Sequence, residues 1–484
     1  MEVLGLATST RVSMLFPYQE EASRKILKNG GSGGLFLEMG TGKTRIALNI
    51  CRVLGLERIL VVSPLSAVGV WRREAALFWP SLGVTNATDG SIVERAGKLL
   101  RPGQNQVLRG ENQFSSGVSA AIVGYESYWR EPLRTAVLKF APEAVIYDEA
   151  HRLKSRSAKQ SRFAHYLADK VPFRLALTGT PMPNGIEDLF SVYKAILPSV
   201  FGTRYWEFEE RYVVRGGYMF YQIVGYRNVE EVERKLAETS FRITKDEALD
   251  LPDRVDVVLP VQLRNRKIYD ELRKRAIAEV EGLVDGRPAA GLALSRIVLT
   301  NVLRLQQVAS GFVRLQDGRI IDLSSEKADA LKDLLSDALP QAGRVVVFCR
   351  FTHDVDRAAK VAKEECDSVF ILDGRVAPRD RDTLLEKFKA ASKTVLVAQV
   401  AVASLGIDLS CAHVAIFYSY DYSLVNYLQS RDRLHRLGQT HKVTYYLLCA
   451  EHTVDEKVLA ALQRKEDLSR AVLELSRAKE IFQN

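Results

Sequence analysis

Short apolar runs separated by helical patterns recur in two blocks of the chain. The runs of the first block are Leu35–Leu37, Ile59–Val62, Ala121–Val123, Ala144–Tyr147 and Leu175–Leu177. The runs of the second block are Val345–Phe348, Val369–Leu372, Val395–Val397, Val414–Phe417 and Val443–Leu448. Such runs are typical of strands buried on both faces, and strands that alternate with helices form parallel sheets. The pattern therefore predicts two α/β domains, each built on a parallel sheet.

The stretch from about residue 190 to 330 lacks this alternation and is rich in charged residues at helical spacing. Its basic residues between Arg264 and Arg275 stand beside Asp270 and Glu271. A helix with mixed charges either faces solvent or binds a polyanion, and the pattern leaves both interpretations open.

Composition narrows the class of protein. The 484 residues exceed the size of one compact core, and 68 Lys and Arg against 59 Asp and Glu give a formal charge of +9. That excess fits a polyanion partner, although proteins without one show it too. The five cysteines are scattered, so no zinc site is expected. Without a bilayer-length apolar stretch or a secretory signal pattern, we expect an intracellular protein with no membrane partner.

A glycine-rich turn follows the first apolar run. It reads Gly40-Thr41-Gly42-Lys43-Thr44 and opens a helical pattern. The glycines permit close approach of a phosphate chain, and the helix N-terminus directs amides at it. The Lys43 ammonium can reach the β- and γ-phosphates, and the Thr44 hydroxyl can bind Mg²⁺. The strict phosphate-loop pattern has Gly where this chain has Leu37. The alternative interpretation of residues 40–44 is an ordinary glycine turn before a helix.

Two carboxylates stand at the end of the fourth apolar run. Asp148 can hold Mg²⁺ through water, and Glu149 can orient or deprotonate an attacking water. In open α/β sheets, ligands bind at the carboxyl ends of the strands. His151 is either structural or a coupling residue. The sequence thus predicts an ATPase site that uses ATP with Mg²⁺, with Lys43, Asp148 and Glu149 as catalytic residues.

The order of these and other segments resembles the superfamily 2 helicase-like motors and, within them, the Snf-type (Swi/Snf-like) DEAH-box DNA translocases. The resemblance extends from about Phe16 to about Lys457. The segments that carry it are Phe16–Gln19, Val61–Ser66 with Trp71, Ile122–Glu126, Asp148–Lys154, Leu177–Pro181, Arg242–Lys245, Val347–Arg350, Leu372–Gly374 and Gln429–Gln439.

The resemblance implies a fold of two RecA-like parallel-sheet lobes with the ATP site in the cleft between them. A short helical insertion region would join the lobes. The expected boundaries are 1–245 for lobe 1, 246–330 for the helical insertion and connection, and 331–484 for lobe 2 with a C-terminal helix.

It also implies roles for further residues. The expected ATP-binding residues are Phe16, Tyr18, Gln19, Gly40, Thr41, Gly42, Lys43, Thr44, Asp408 and Gln429. The residues expected to couple hydrolysis to nucleic-acid movement are His151, Thr178 and Thr180. Arg433 and Arg436, three residues apart on one helix face, would act as arginine fingers, typically worth about 10³–10⁵ in rate. A basic helix face toward solvent or DNA is the alternative for both.

The expected partner is duplex DNA, bound without regard to sequence through backbone contacts. The candidate contacts are Ser66, Trp71, Arg72, Tyr125, Lys154, Arg350 and Arg375, although Trp71 and Tyr125 could instead be packing residues.

The chain departs from the Snf-type pattern at 403–408, where a double Gly followed by Asn is usual in the family. The short region between the lobes and the lack of a visible chromatin-reading appendage suggest a minimal bacterial or phage motor.

The leading hypothesis is an ATP-driven motor that translocates on duplex DNA or remodels it. The alternatives are a helicase that separates DNA or, less consistently with the motifs, RNA strands, and a nucleic-acid-binding module switched by ATP.

Overall fold

The computed structural model describes residues 15–100, 117–216, 222–264, 266–284, 291–315, 317–377, 380–403 and 407–466. The chain divides into two compact units, one of the residues up to Asp250 together with those from Lys465 on, and one from Leu251 to Arg464. The predicted three-part division at 245 and 330 stays a prediction, and residues 404–406 of the family departure lie outside the described ranges.

A parallel sheet of seven strands forms the centre of the first unit. The strands of this unit are β1 (Gly33–Leu37), β2 (Arg58–Ser63), β3 (Gly83–Asn86), β4 (Ser119–Gly124), β5 (Ala144–Asp148), β6 (Phe173–Leu177), β7 (Val213–Gly216), β8 (Gln222–Tyr226) and β9 (Ser240–Ile243). The sheet has the order β3-β4-β2-β5-β6-β1-β9, and β7 and β8 form a separate antiparallel hairpin.

The central strands are apolar throughout because both faces of the sheet are covered. In β5, Val145 and Tyr147 join one hydrophobic cluster, whereas Ala144 and Ile146 join the other. The residues of the neighbouring strands β2 and β6 alternate between the same two clusters. All five apolar runs predicted in this part of the chain are strands of the sheet.

Helices supply the two covering layers. They are α1 (Pro17–Lys28), α2 (Lys43–Val53), α3 (Val68–Phe78), α4 (Ile92–Leu100), α5 (Leu133–Phe140), α6 (Lys159–Ala168), α7 (Asp188–Ile196), α8 (Pro198–Phe201), α9 (Tyr205–Tyr212), α10 (Val229–Thr239) and α11 (Lys245–Ala248). The predicted apolar face of α2 is buried at Ile46, Ala47, Ile50 and Cys51.

The second unit is built on a parallel sheet of six strands. Its strands are β10 (Arg254–Val261), β11 (Phe312–Arg314), β12 (Ile320–Asp322), β13 (Arg344–Cys349), β14 (Ser368–Leu372), β15 (Thr394–Gln399), β16 (Val414–Phe417) and β17 (Val443–Ala450). The sheet order is β10-β17-β16-β13-β15-β14, with β11 and β12 as an antiparallel pair outside it. The predicted fold class, α/β with two parallel-sheet lobes, is confirmed.

β10, β11 and β12 lie between residues 246 and 330, where the sequence predicted a helical insertion and the connection to lobe 2. Of these strands, β10 is at the edge of the six-stranded sheet. Its eight residues pair in parallel with β17 from Arg254 to Val261. Most of them are exposed or half-buried, and Arg254 and Asp256 interrupt the first half of the strand. The apolar run that follows, Val257–Val261, contains Pro260, and within sheets proline is found mainly on edge strands.

The helices of the second unit are α12 (Arg266–Val284), α13 (Gly291–Ala309), α14 (Glu326–Ala342), α15 (Thr352–Glu365), α16 (Arg381–Ala390), α17 (Val400–Ala403) and α18 (Leu424–Arg431), followed by a helix at 454–466. Within the described residues, no helix of either unit has the length and apolarity needed to cross a membrane.

A buried ion pair joins α14 to the start of the helix at 454–466. The Lys327 ammonium lies 2.5 Å from Asp455 Oδ2, and their side chains are 1% and 4% exposed. Lys327 Nζ also donates to the carbonyl oxygen of Tyr418 at 3.2 Å. Since neither charge reaches solvent, each depends on the other for compensation.

We expect Lys327→Met to lower the free energy of unfolding by about 3–5 kcal/mol, because Asp455 keeps a buried charge without its cation. Urea unfolding of the full chain, followed by circular dichroism, measures the effect. The matched control is Lys332→Met on the same helix, which removes an exposed pair with Glu364 of 2.7 Å and should change little. Equal losses in the two variants would contradict the importance of burial.

Candidate nucleotide site

The strand order brings three strand ends of the first unit together. β5, β6 and β1 are consecutive in the sheet, with Asp148 opposite Leu177 and Leu177 opposite Leu35. All three strands are parallel, so the polar segments that follow them meet at one edge. Gly179 lies so close to the loop after β1 that a Cβ added there would be 3.3 Å from the Leu37 carbonyl oxygen.

The glycine-rich turn has the backbone geometry that a phosphate loop needs. Gly40 and Gly42 have φ of 85° and 82°, in the left-handed region that favours glycine. Gly42 is the N-cap of α2, so the helix N-terminus opens directly at the turn. Lys43 Nζ donates to the carbonyl oxygens of Leu37 at 2.8 Å and Glu38 at 3.1 Å. The ammonium thus lies along the concave side of the loop.

The predicted adenine-reading residues lie against this loop. Tyr18 Oη donates to the Thr41 carbonyl oxygen at 2.9 Å, and Gln19 Nε2 donates to the same oxygen at 3.2 Å. The Phe16 and Tyr18 rings are stacked with centroids 5.9 Å apart, and Phe16 is half exposed. Residues 16–19 and 40–44 are therefore in direct contact through hydrogen bonds.

Asp148 is a buried carboxylate held through one of its oxygens. Oδ2 accepts hydrogen bonds from Trp71 Nε1 at 2.8 Å and from Ser63 Oγ at 3.3 Å. Tyr125 Oη donates to the Asp148 carbonyl oxygen at 2.8 Å. Burial and the neighbouring Glu149 carboxylate raise the pKa of Asp148, and these effects outweigh the Trp71 hydrogen bond, which acts to lower it.

Trp71 and Tyr125 were predicted to contact nucleic acid, but the structure buries both. Their exposed fractions are 2% and 0%, and each donates its polar hydrogen to Asp148. The structure therefore supports a packing and hydrogen-bonding position for both, and not a surface contact. Ser63 belongs to the same group and was missed as a site residue, although it ends β2 at the same sheet edge.

Glu149, His151, Thr178 and Thr180 form a polar chain from β5 to β6. Glu149 has φ 52° and ψ 52°, an uncommon left-handed conformation for a residue other than glycine. His151 Nδ1 lies 3.4 Å from Glu149 Oε2 and 3.1 Å from Thr178 Oγ1. The Thr180 backbone amide donates to Thr178 Oγ1 at 3.1 Å. The structure thus brings Glu149, which was predicted to be catalytic, together with the three residues that were predicted to have a coupling role.

The His151 imidazole is neutral. Burial, followed by the charges of Arg152, Lys154 and Lys43, lowers the pKa of His151 to about 3. Its contact with Glu149 is therefore polar and not an ion pair at physiological pH. His151 can relay a change of position between the two strand ends without changing its charge.

The donor set suits Mg²⁺ bound mainly by a nucleotide. No group of three or more His, Cys, Asp or Glu side chains in the described ranges could form an all-protein metal site. Mg²⁺ in phosphate sites uses one or two protein oxygens and completes its shell with phosphate and water. The Asp148 carboxylate and the Thr44 hydroxyl fit that requirement.

The second unit holds the predicted arginine fingers near Asp408, but the predicted shared helix face is wrong, because α18 ends at Arg431 and both residues lie in the turns that follow it. Arg433 is 6% exposed, and its carbonyl oxygen accepts from the Leu409 amide at 3.0 Å. Arg436 Nε lies 3.7 Å from Asp408 Oδ1, and Lys389 Nζ lies 3.1 Å from Asp408 Oδ2. Burial acts to raise the pKa of Asp408, but hydrogen bonds from Ser410 and Lys389 outweigh it, and the pKa is lowered. Gln429 is half-buried on α18.

Two predicted DNA contacts of the second unit have intramolecular partners. Arg375 forms ion pairs with Asp356 at 2.7 Å and with Asp373 at 2.6 Å. Arg350 Nη1 donates to Gln306 Oε1, and burial lowers the pKa of its guanidinium. In the first unit, Ser66 and Arg72 are exposed and Lys154 is half-buried. These last three positions keep the access that a nucleic-acid contact requires.

Comparison with known proteins agrees with this geometry. A protein-family model described as SNF2-related domain matches residues 18–310, and one described as Helicase conserved C-terminal domain matches residues 326–438. An "Uncharacterized ATP-dependent helicase" of Mycoplasma pneumoniae is 27% identical over 95% of this chain and 42% of its own length. A "Probable chromatin-remodeling complex ATPase chain" of Oryza sativa is 26% identical over 94% of this chain and 40% of its length.

Among solved structures, the Sulfolobus solfataricus SWI2/SNF2 ATPase core in complex with dsDNA aligns at 22% identity. The alignment covers 96% of this chain and 95% of that chain, with a TM-score of 0.42. The present chain spans about two fifths of the length of the curated relatives it matches. Because the first family model covers more than half of the residues, the chain belongs to the SNF2-related domain family, with a helicase conserved C-terminal domain following.

Proposed function

We propose that this protein is a DNA-stimulated ATPase that uses Mg²⁺-ATP to translocate on duplex DNA or to remodel it. The observation that carries the proposal is the arrangement at three consecutive strand ends. There the Lys43 loop, the Asp148–Glu149 pair and the Thr178 segment share one edge of the sheet. Family membership supports the same conclusion.

The chemistry follows from the positions of the side chains. Lys43 and the N-terminus of α2 bind the phosphates, and Thr44 and Asp148 hold Mg²⁺, which neutralises phosphate charge when bound. Glu149 orients the attacking water, and Arg433 and Arg436 stabilise the charge that develops on the phosphate oxygens. His151, Thr178 and Thr180 connect the hydrolytic carboxylate to the neighbouring strand end.

A basic stretch of the first unit supports a polyanion partner. Between His151 and Asp169 there are five Arg or Lys residues and no Asp or Glu. The basic surface, as we define it, consists of Lys154, Arg156, Lys159 and Arg162. Arg156 stacks on the Tyr205 ring at 4.0 Å, and Lys159 lies 5.1 Å from the Trp129 ring centroid.

The residues of the basic surface also lack acidic partners at ion-pair distance. In the described part of the chain, none of its four residues forms an ion pair with a carboxylate. Nearby arginines do so, as in Arg204–Glu207 at 2.9 Å and Arg211–Glu231 at 2.8 Å. Cations without carboxylate partners can neutralise phosphates and release counterions.

We expect the double variant Lys159→Ala, Arg162→Ala to weaken duplex binding and to flatten its salt dependence. Each lost phosphate contact lowers the slope of log K against log salt by about 1, so the slope should fall by about 2. Fluorescence anisotropy of a labelled duplex over a salt series measures it. The control is Arg204→Ala, Arg211→Ala, which removes two paired cations. An equal change of slope in both variants would contradict the basic surface as the DNA contact.

The proposed function is tested by steady-state ATP hydrolysis without polymer and with single-stranded DNA, duplex DNA and RNA. Lys43→Ala provides the blank. Strong stimulation by duplex DNA above single strands is the expected result. No stimulation by any of the polymers would contradict a nucleic-acid-driven motor.

Two alternatives predict different outcomes. A strand-separating helicase of the same superfamily would prefer single strands or RNA and would unwind a labelled duplex. A module that uses ATP only as a switch would bind nucleotide and nucleic acid without sustained turnover. Displacement of a bound third strand from an intact duplex distinguishes translocation from unwinding.

A further inference from the structure

We propose that Trp71 is a positioning residue for the Asp148 carboxylate, and that it directs one oxygen of that carboxylate toward the Mg²⁺ of the bound nucleotide. This inference rests on the proposed function, since it assigns Asp148 to a nucleotide-bound metal. Trp71 itself touches neither nucleotide nor metal in this proposal and acts through Asp148.

The two oxygens of Asp148 have different surroundings. Trp71 Nε1 and Ser63 Oγ both donate to Oδ2, at 2.8 and 3.3 Å. Within the ranges that the structure describes, no donor lies within hydrogen-bond distance of Oδ1. An oxygen with two neutral donors is poorly suited to a metal ion, whereas the other oxygen keeps its lone pairs. The asymmetry assigns Oδ1 to the metal or to its bound water.

The Trp71 donor is fixed in place by packing. Trp71 lies on α3 in a stripe with Val68, Ala75 and Phe78, all buried in the same hydrophobic cluster. The indole N–H can only donate, so the bond cannot reverse its direction. At the backbone, the Tyr125 hydroxyl holds the Asp148 carbonyl oxygen. Side chain and main chain of Asp148 are thus held from two elements far away in sequence.

A hydrogen-bond donor that orients a metal ligand usually increases the affinity of the site for the metal. Groups that orient a metal ligand through a hydrogen bond typically contribute about 10–100-fold in metal affinity or activity. Trp71→Phe removes the donor and keeps most of the ring. We therefore expect it to raise the Mg²⁺ concentration needed for nucleotide binding by roughly 10-fold.

The test measures binding and not turnover. Anisotropy of methylanthraniloyl-ADP is recorded with the full chain, from excess EDTA to excess Mg²⁺. In EDTA, Trp71→Phe should bind the nucleotide like the unaltered protein. As Mg²⁺ is added, the Mg²⁺ concentration that gives half-maximal nucleotide binding should be higher for Trp71→Phe than for the unaltered protein. Ser63→Ala should show a smaller shift in the same direction.

Trp79→Phe is the matched control, because Trp79 is buried in the same cluster and makes no hydrogen bond to Asp148. It should leave the Mg²⁺ dependence unchanged. In an Asp148→Asn background, Trp71→Phe should have little further effect, whereas a purely structural contribution of the ring would persist. That double-mutant cycle separates positioning from packing.

Several outcomes would overturn the inference. An unchanged Mg²⁺ dependence in Trp71→Phe would do so, as would an equal loss of nucleotide binding with and without Mg²⁺. If Trp71→Phe does not fold, an unchanged Mg²⁺ dependence in Ser63→Ala overturns it. If the unaltered protein binds no nucleotide under any condition, the proposed function itself fails, and the two failures are thereby distinguished.

Discussion

Replacement of Glu149 by Gln is expected to lower kcat for ATP hydrolysis by about 10²–10⁴-fold while the KM for ATP changes little. The substitution keeps the size of the side chain and removes the basic oxygen that would orient or deprotonate water. Glu149 directly follows the Asp148 strand end and has a left-handed backbone conformation that is uncommon for a residue other than glycine. Conformations of this type persist where the surrounding structure enforces them, often at functional sites.

Steady-state kinetics with saturating duplex DNA checks this expectation. Glu126→Gln is the matched control, because the carboxylate of Glu126 is 61% exposed and pairs with Arg152 at 2.7 Å. That variant should retain its turnover. If Glu149→Gln retained turnover as well, Glu149 would not be the catalytic carboxylate. A rise in KM with unchanged kcat would instead assign it to nucleotide binding.

The central strands of both units could be predicted because burial on both faces leaves a continuous apolar run in the sequence. Each of the ten predicted runs forms a strand of one of the two sheets. Of the four edge strands, β14 was predicted from its apolar run, whereas β3, β9 and β10 were not. β3 has only four residues, and β10 is mostly exposed or half-buried and contains Pro260, which obscures its strand pattern. Local pattern therefore identifies the buried middle of a sheet better than its edges.

The same limit applies to the site. The Lys43 loop and the Asp148–Glu149 pair were predictable because each directly follows a buried strand. The position of Trp71 depends on a hydrogen bond to a residue 77 positions away, which no local pattern contains. A signal was present nonetheless, since Val68, Trp71, Ala75 and Phe78 are spaced as one helix face. That spacing indicates burial and argues against a nucleic-acid contact.

The ion pairs of the surface arginines also depend partly on residues distant in sequence. Arg375 was a candidate DNA contact, but Asp373 and Asp356 both pair with it. Asp373 is only two residues away, whereas Asp356 lies on α15 and approaches Arg375 through the fold. The basic surface of the first unit is distinguished by the opposite feature, a stretch of sequence without acidic residues. The absence of acidic residues from this stretch can be recognised in the sequence, whereas the pairing of Arg375 with Asp356 depends on the fold.

Replacement of Arg436 by Ala is expected to slow ATP hydrolysis by about 10³-fold or more, with nucleotide affinity changed far less. An arginine finger contributes mainly when charge develops on the transferring phosphate, so its loss appears in kcat. The structure holds Arg436 in a defined place, with its Nε 3.7 Å from Asp408 and one third of its side chain exposed. Arg436→Lys should recover only part of the rate, because an ammonium lacks the planar fork of the guanidinium.

Single-turnover hydrolysis and nucleotide anisotropy together measure the two effects in the full chain. Lys442→Ala, which removes an exposed cation from the segment that follows, is the matched control and should behave like the unaltered protein. Equal losses of binding and hydrolysis in Arg436→Ala would indicate a binding or folding contribution. If hydrolysis without DNA stayed normal and only DNA affinity fell, Arg436 would belong to a basic face that contacts DNA. The comparison thus decides between the two interpretations that the sequence leaves open for Arg436, because only a catalytic arginine separates rate from affinity.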